Sequence, residues 1–270
     1  MLLPRQVLLR HRRARWILGQ VALMTAAIFC YFQVRGLTAG NPDLATEHAH
    51  RLVEIEKALG IDVEAAVQAP VASSVGLETV ANWVYIWGHW PVIVATMVWL
   101  VLRHRWAFLR LRDAMLVSGG LGLVVFVTYP VAPPRLADPT LVDTVTQHSY
   151  SYRVLQPPNF VNQYAALPSL HAGWDLLVGI ALATAGGTLL IRSAGWVMPP
   201  LMAFAVIATA NHYVLDVAAG LALALVGYAA ALLLERRRAA RAPRVSRRPD
   251  APASHGSHRH DLVGHRTPGR

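Results

Sequence analysis

Six apolar runs, each a candidate for crossing about 30 Å of hydrocarbon, constrain this chain more than any other feature. They cover residues 16–34, 79–102, 114–129, 171–191, 196–210 and 213–234 of a 270-residue sequence. Inside a bilayer every backbone N–H and C=O must find a partner within its own helix or within a closed barrel, and runs of this length select helices. The predicted fold is therefore all-α, a polytopic membrane protein built as a six-transmembrane-helix bundle. Charge agrees with this: 15% of the residues are charged, whereas a soluble domain carries about a quarter. Cys30 is the single cysteine, which excludes an intrachain disulfide. Nothing in the sequence clusters thiolates or histidines for zinc, or carboxylates for magnesium, so no metal and no cofactor is expected.

A net charge of +10 invites a nucleic-acid reading, and the placement of the arginines argues against it. Arg5, Arg10, Arg12, Arg13 and Arg15 precede the first run, Arg103, Arg105, Arg110 and Arg112 follow the second, Arg192 separates the fourth from the fifth, and ten arginines follow Leu234. In a six-span topology these 20 share one side, leaving Arg35, Arg51, Lys57, Arg135 and Arg153 on the other. That asymmetry predicts a multi-pass plasma-membrane protein with both termini cytoplasmic and no nucleic-acid partner. The first run is longer than an ordinary signal-peptide core and Thr38-Ala39-Gly40 is a weak cleavage site, so a retained span is expected.

The chain divides into a cytoplasmic basic tail over 1–15, a membrane domain over 16–235, and a basic tail over 236–270 whose low apolar content predicts disorder. His255, His258, His260 and His265 in that tail read as solvated side chains rather than metal ligands. Residues 41–70 are polar and acidic, with Leu52, Ile55, Leu59 and Val63 at helical spacing. They predict an amphipathic helix packed on the outer rim of the bundle.

Ionisable groups beside membrane spans are costly and mark candidate function. Three segments carry them: Tyr129-Pro-Val-Ala-Pro-Pro-Arg135, Pro168-Ser-Leu-His171 and Asn211-His-Tyr-Val-Leu-Asp216. The predicted topology puts all three at the extracytoplasmic face. His212 and Asp216 are four apart, close enough on one helix face for the carboxylate to accept an imidazole N–H and leave the other nitrogen free as base or nucleophile. The same pair would equally serve as a polar contact between helices. Ser169 reads as a helix cap, and the free N–H groups after it favour an anion beside His171. Asp175, four residues on, is placed to raise the basicity of His171 or to pair with an arginine. Arg135 closes a stiff proline turn and can grip a phosphate through two hydrogen bonds, or anchor headgroups. His89, between Trp87 and Trp90, reads as a packed interface residue.

With those residues in place, the sequence resembles the type-2 phosphatidic acid phosphatase superfamily, whose members carry three ordered motifs on a six-helix core. PSLH at 168–171 is similar to the second motif and HYVLD at 212–216 to the third. The commonest branch has a lysine and an Arg-Pro in its first motif and a Ser-Arg in its third. Here Thr128, Leu136, Ala205 and Val206 stand at those positions, and the YPVAPPR and NHYVLD forms look like the inositolphosphotransferase branch, which includes the inositolphosphorylceramide synthases. The resemblance implies His212 as nucleophile, Asp216 as its orienter, His171 as proton donor and Arg135, with Ser169, as phosphate binders. Tyr129, Asn211, Tyr213, Asn162 and Tyr164 are candidate supporting or headgroup contacts, as is Asp175.

The function this implies is a lipid phosphotransferase that moves a phospho-headgroup from a membrane phospholipid to an acceptor alcohol through phosphohistidine. A phosphatase on a lipid or polyprenyl phosphate, with water as acceptor, would use the same residues. A proton-coupled transporter or a non-catalytic scaffold is the alternative of a different class. Transporters place such groups near the midplane of a repeat, and no repeat is visible here.

Overall fold

The computed structural model describes residues 5–37, 41–148 and 162–241. Thr38-Ala39-Gly40, Arg153 and the four tail histidines lie outside the described residues. In chain order the helices are α1 (Arg5–Leu37), α2 (Pro42–Leu59), α3 (Glu64–Ala72), α4 (Val75–Trp87), α5 (Trp90–Arg103) and α6 (Arg105–Thr128). Two short helices follow, α7 (Pro134–Ala137) and α8 (Thr144–His148), and then α9 (Leu170–Ala185), α10 (Leu189–Ala208) and α11 (Val214–Arg241). The described residues form no strand, only an isolated bridge between Val131 and Ala165. The architecture is all-helical, as predicted.

Among the described residues, four helices are long and apolar enough to cross a membrane: α1, α6, α10 and α11. A fifth crossing arises if α4 and α5, bent by 40° at Gly88–His89, count as one broken span. Helix α9 is apolar with 16 residues, about 24 Å at 1.5 Å per residue, which falls short of a full hydrocarbon core. Side chains such as Trp83, Val98, Val124, Trp196, Phe204 and Leu225 stay exposed along these helices. On a chain of this hydropathy such a surface faces lipid, and the protein is a membrane protein.

Several helix starts are written in single residues. Asn41 caps α2 by accepting the Asp43 N–H at 3.0 Å, with Pro42 at the first turn, and Gly60 ends it in the left-handed region at φ 71°. Ser169 caps α9 through the Ala172 N–H at 3.4 Å, as the sequence predicted, and Thr188 caps α10 through Ile191. The last helix runs on to Arg241, past the expected boundary at 235.

Helices α6, α9, α10 and α11 form the packed centre, and their contacts are made by small residues. A Cβ on Gly173 of α9 would lie 2.5 Å from the Gly220 carbonyl of α11, and one on Gly220 would run into the Ser169 carbonyl. Gly179 and Gly195 stand in the same relation between α9 and α10. Lipid tails are as apolar as leucine, so membrane helices associate through such close backbone approach rather than through the hydrophobic effect.

The amphipathic segment is helical as predicted, but a different face is buried. Ala45, His48, Ala49, Leu52 and Glu56 point inward, while Ile55 and Leu59 are exposed. The small Ala45 and Ala49 let α2 sit directly on the chain after α6, where Ala132 donates to the Ala45 carbonyl at 3.0 Å. Glu56 is drawn in because its carboxylate accepts the Leu215 N–H at 2.7 Å, while Glu64 of α3 accepts the Val214 N–H at 2.9 Å. Two carboxylates thus satisfy free N–H groups at the start of α11, where the helix dipole favours negative charge. Burial, reinforced by Glu64 and Asp216, pushes the Glu56 carboxyl up to about 8 against the hydrogen bond from Leu215.

At the opposite end of the bundle the polar contacts are ion pairs. Arg110 of α6 grips Glu235 of α11 through Nε and Nη2 at 2.8 and 3.1 Å. Asp113 receives Arg112 and Arg238, and Arg112 also reaches Gln20 of α1.

Candidate active site

The three polar segments meet where α6 and α10 end and α9 and α11 begin. After α6 the chain is fastened at close intervals. His48 Nδ1 bonds the Pro130 carbonyl at 2.8 Å and stacks on Tyr129 at 3.8 Å, and the Val131 N–H reaches the Tyr164 carbonyl at 2.8 Å. Further along, Gln68 exchanges two hydrogen bonds with the backbone of Val142, and Asn82 donates to the Thr144 carbonyl and accepts from the Thr144 hydroxyl. Arg135 therefore projects from a backbone held on both sides.

Its guanidinium is equally constrained. Nη1 donates to Asn211 Oδ1 at 2.6 Å, Nε lies 3.2 Å from Asp143 Oδ2, and its own backbone N–H meets the Ala210 carbonyl at 3.0 Å. Asn211 is oriented in turn by donating to Thr209 Oγ1 at 2.8 Å. Ala210 takes the left-handed conformation at φ 51°, uncommon for a residue with a Cβ, in the turn that delivers both Asn211 and His212.

His212 is buried just before α11. Its Nδ1 lies 2.9 Å from the Ala166 carbonyl and 3.4 Å from Asp216 Oδ2. A carbonyl only accepts, so Nδ1 carries the proton and Nε2 is left with its lone pair. The sequence predicted the carboxylate in this role; the structure places the Ala166 carbonyl nearer and Asp216 beside it. Asp216 Oδ2 also accepts the Tyr213 N–H at 2.9 Å, and the Asp216 carbonyl accepts the Ser169 N–H at 2.9 Å. That last bond ties the cap of α9 to the first turn of α11.

His171 stands in the first turn of α9, its ring 6.0 Å from that of His212 and stacked on Tyr85 at 4.5 Å. The pocket between these side chains has a volume of about 40 Å³ and is lined by Arg135, Asn162, His171, Asn211 and His212 among others. Ser169 is fully buried behind it, its hydroxyl spent on the helix cap. Tyr213 is buried beside α2, away from the pocket lining, and Tyr129 packs on His48.

Asp175 departs from expectation: it pairs with neither His171 nor an arginine but with His89, Nδ1 to Oδ1 at 2.8 Å, both side chains buried. The break between α4 and α5 turns His89 inward against α9, and its ring lies 4.2 Å from the ring of His171. Its neighbours in sequence, two tryptophans, pointed to packing, and no short-range spacing links it to a carboxylate 86 residues away.

A second cavity adjoins the pocket. It has a volume of about 440 Å³, lies between α1, α5 and α6, and is walled by apolar side chains such as Met24, Ile28, Val94, Met97 and Leu123. Tyr31, Trp90 and Trp174 border both cavities.

No curated protein matches the sequence. Among solved structures, the crystal structure of Aquifex aeolicus LpxE aligns over 64% of this chain and 94% of its own, at 14% identity and a TM-score of 0.48. The sequence profile of the PAP2 superfamily matches residues 50–230, a stretch that runs from the second half of α2 through most of α11 and includes Arg135, Asn162, His171, Asn211 and His212. On that match the chain belongs to the PAP2 superfamily and is an enzyme of the PAP2-like phosphatase and phosphotransferase kind.

Proposed function

We propose that this enzyme is a membrane lipid phosphotransferase working through a phosphohistidine, of the inositolphosphotransferase type. The observation that carries the reading is the pair of imidazoles of His171 and His212, 6.0 Å apart beside the Arg135 guanidinium in one pocket. His212 Nε2 attacks the phosphorus of a phosphodiester, the bond to the lipid oxygen breaks, and His171 gives that oxygen a proton. An acceptor hydroxyl then loses its proton to His171 and displaces His212, which restores both histidines. Arg135 steadies the equatorial oxygens as charge shifts across them. Asn211 and Asp143 hold its fork in place.

The pocket suits a phosphodiester because Arg135 is the only lysine or arginine among the described residues that line it. A phosphate monoester would bring more negative charge. The adjoining apolar cavity supports a lipid substrate, with a hydrocarbon chain lying between α1, α5 and α6 and the headgroup beyond Trp90 and Trp174. Residues 16–235 form the catalytic domain, with α4–α5 as the second of six spans and α9 as the fourth. The arginine asymmetry supports cytoplasmic termini and an extracytoplasmic pocket in the plasma membrane.

Purified protein in vesicles containing headgroup-labelled phosphatidylinositol, phosphatidate and a bacterial lipid extract tests this. Label should pass to a new lipid and cease to do so in His212→Ala. Release of inorganic phosphate from phosphatidate instead would make the enzyme a phosphatase with water as acceptor.

A further inference from the structure

Outside the phosphate pocket the chain gathers a second set of charged oxygens. Gly60, in the left-handed region at φ 71°, reverses the chain between α2 and α3, and the Ile61 N–H closes the turn on the Glu56 carbonyl at 2.9 Å. The reversal brings together Glu56 of α2, Asp62 of the connecting loop and Glu64 of α3. One carboxylate oxygen of each lies within 4.8 Å of the other two. None of these residues lines the pocket that holds His171 and His212.

Carboxylates at this spacing repel, and the groups around them answer only part of their charge. Glu56 Oε1 accepts the Leu215 N–H and Glu64 Oε1 accepts the Val214 N–H. A helix N-terminus carries about half a positive charge, too little for the three, with Asp216 close behind. Among the described residues no lysine or arginine pairs with Glu56, Asp62 or Glu64. Glu56 is fully buried, its carboxyl lies beside that of Glu64, and its Oε2 has no hydrogen-bond donor among the described residues. The Tyr213 hydroxyl, buried and equally without a partner there, stands in the field of both glutamates. Buried oxygens left in this state require a donor or a cation.

We propose that Glu56, Asp62 and Glu64 form a divalent-cation site sized for calcium, which clips α2 and α3 to the start of α11. All the donors are hard oxygens, which select calcium or magnesium over zinc or copper. Oxygens on one calcium ion stand up to about 5 Å apart, twice its bond length, whereas magnesium holds its ligands within about 4.2 Å. Asp62 is exposed and gives the ion its path from solvent and room for water ligands. Val214 and Leu215, gripped by the two glutamates, lie between His212 and Asp216. The clip therefore fixes the turn that delivers both. When the ion binds, the Glu56 carboxyl, raised to about 8 in its absence, gives its proton to solvent. None of this depends on which acceptor the phosphate pocket uses.

The test uses full-length protein in a non-ionic detergent, stripped with chelator and then titrated with calcium chloride or magnesium chloride. Equilibrium dialysis against radioactive calcium should find one ion per chain, with a dissociation constant on the order of 10⁻⁴ M. Calcium at about a hundred times that constant should raise the unfolding temperature by roughly 5 °C over the chelated protein. Magnesium at the same concentration should do less. Asp62→Asn changes only an exposed side chain, and it should weaken calcium binding about tenfold or more and remove the shift. Glu64→Gln, which still offers Val214 an acceptor, should do the same; if it does not fold, Asp62→Asn decides. An unfolding temperature that calcium leaves unmoved, or a shift that survives Asp62→Asn, would overturn the site. An equal shift in magnesium would overturn the assignment to calcium.

Discussion

The molecule holds two histidine–aspartate pairs built in opposite ways. His212 and Asp216 are four residues apart at the start of one helix, and the carboxylate is the weaker of two partners: 3.4 Å from Nδ1, against 2.9 Å for the Ala166 carbonyl. His89 and Asp175 are 86 residues apart on different helices and meet at 2.8 Å. In the first pair the backbone supplies the orientation and the carboxylate adds charge. In the second, no backbone carbonyl bonds the His89 ring, and the carboxylate does both jobs across a helix interface. The local pair serves one residue, whereas the distant pair also fixes how α9 sits against the break between α4 and α5.

The sharpest way to break this comparison is to remove the two histidines in turn. His212→Ala should abolish turnover, a loss of roughly 10⁴-fold or more for a nucleophile. Asp216→Asn should cost less, about 10²-fold, at the low end for general acid–base groups, because the Ala166 carbonyl still selects the tautomer. Rates in vesicles check both, and equal losses would mean that the carboxylate, not the carbonyl, sets the ring.

Gly220→Leu should disturb both pairs together. Its side chain meets the Ser169 carbonyl, and α9 carries His171 and Asp175 while α11 carries Asp216. Overpacking of this kind costs about 1–3 kcal/mol, read as a lower unfolding temperature in detergent.

Glu56→Gln separates the pairs, since Glu56 bonds the start of α11 at Leu215 and stands beside Glu64, away from His89 and Asp175. Its carboxyl titrates near 8 in the folded protein against an ordinary 4.5, so the folded state binds the proton more tightly. The associated stability is complete below pH 4.5 and is lost as pH rises through 8. Thermal unfolding across that window should fall with pH in the wild type and flatten in Glu56→Gln, with the His89–Asp175 pair unaffected.

Ala210→Gly should change least. Glycine suits the left-handed turn and adds freedom only to the unfolded chain, so stability should stay within about 1 kcal/mol.

What the sequence revealed follows the same division between local and distant. The Ser169 cap, the His212–Asp216 spacing and the three polar segments are short-range patterns that the structure contains, and four of the six apolar runs lie on helices long enough to cross, while the second is broken at Gly88–His89 and the fourth sits on the short α9. His89 was hidden because its partner lies on another helix and its flanking tryptophans suggest plain packing. The buried face of α2 was misassigned for a related reason. Ile55 and Leu59 are the larger apolar residues, but Ala45 and Ala49 permit the closest approach, and Glu56 is pulled inward by an N–H group of α11. Sequence spacing offers Asp175 either His171 or an arginine, whereas the helix break supplies His89, a partner that spacing does not reveal.

The glycine contacts between α9 and its neighbours bear on how the protein meets bilayers of different thickness. At 16 residues α9 is short for a full hydrocarbon core, so some mismatch must be absorbed by tilting or by thinning of the surrounding lipid. With Gly173 against Gly220 and Gly179 against Gly195, carbonyl to α-carbon, α9 cannot slide along α10 or α11 without driving side chains into backbone. The three helices must tilt as one body. The distances among His171, His212 and Asp216 then remain constant between a thin membrane and a thick one, while α1, most of whose side chains stay exposed, takes up the difference.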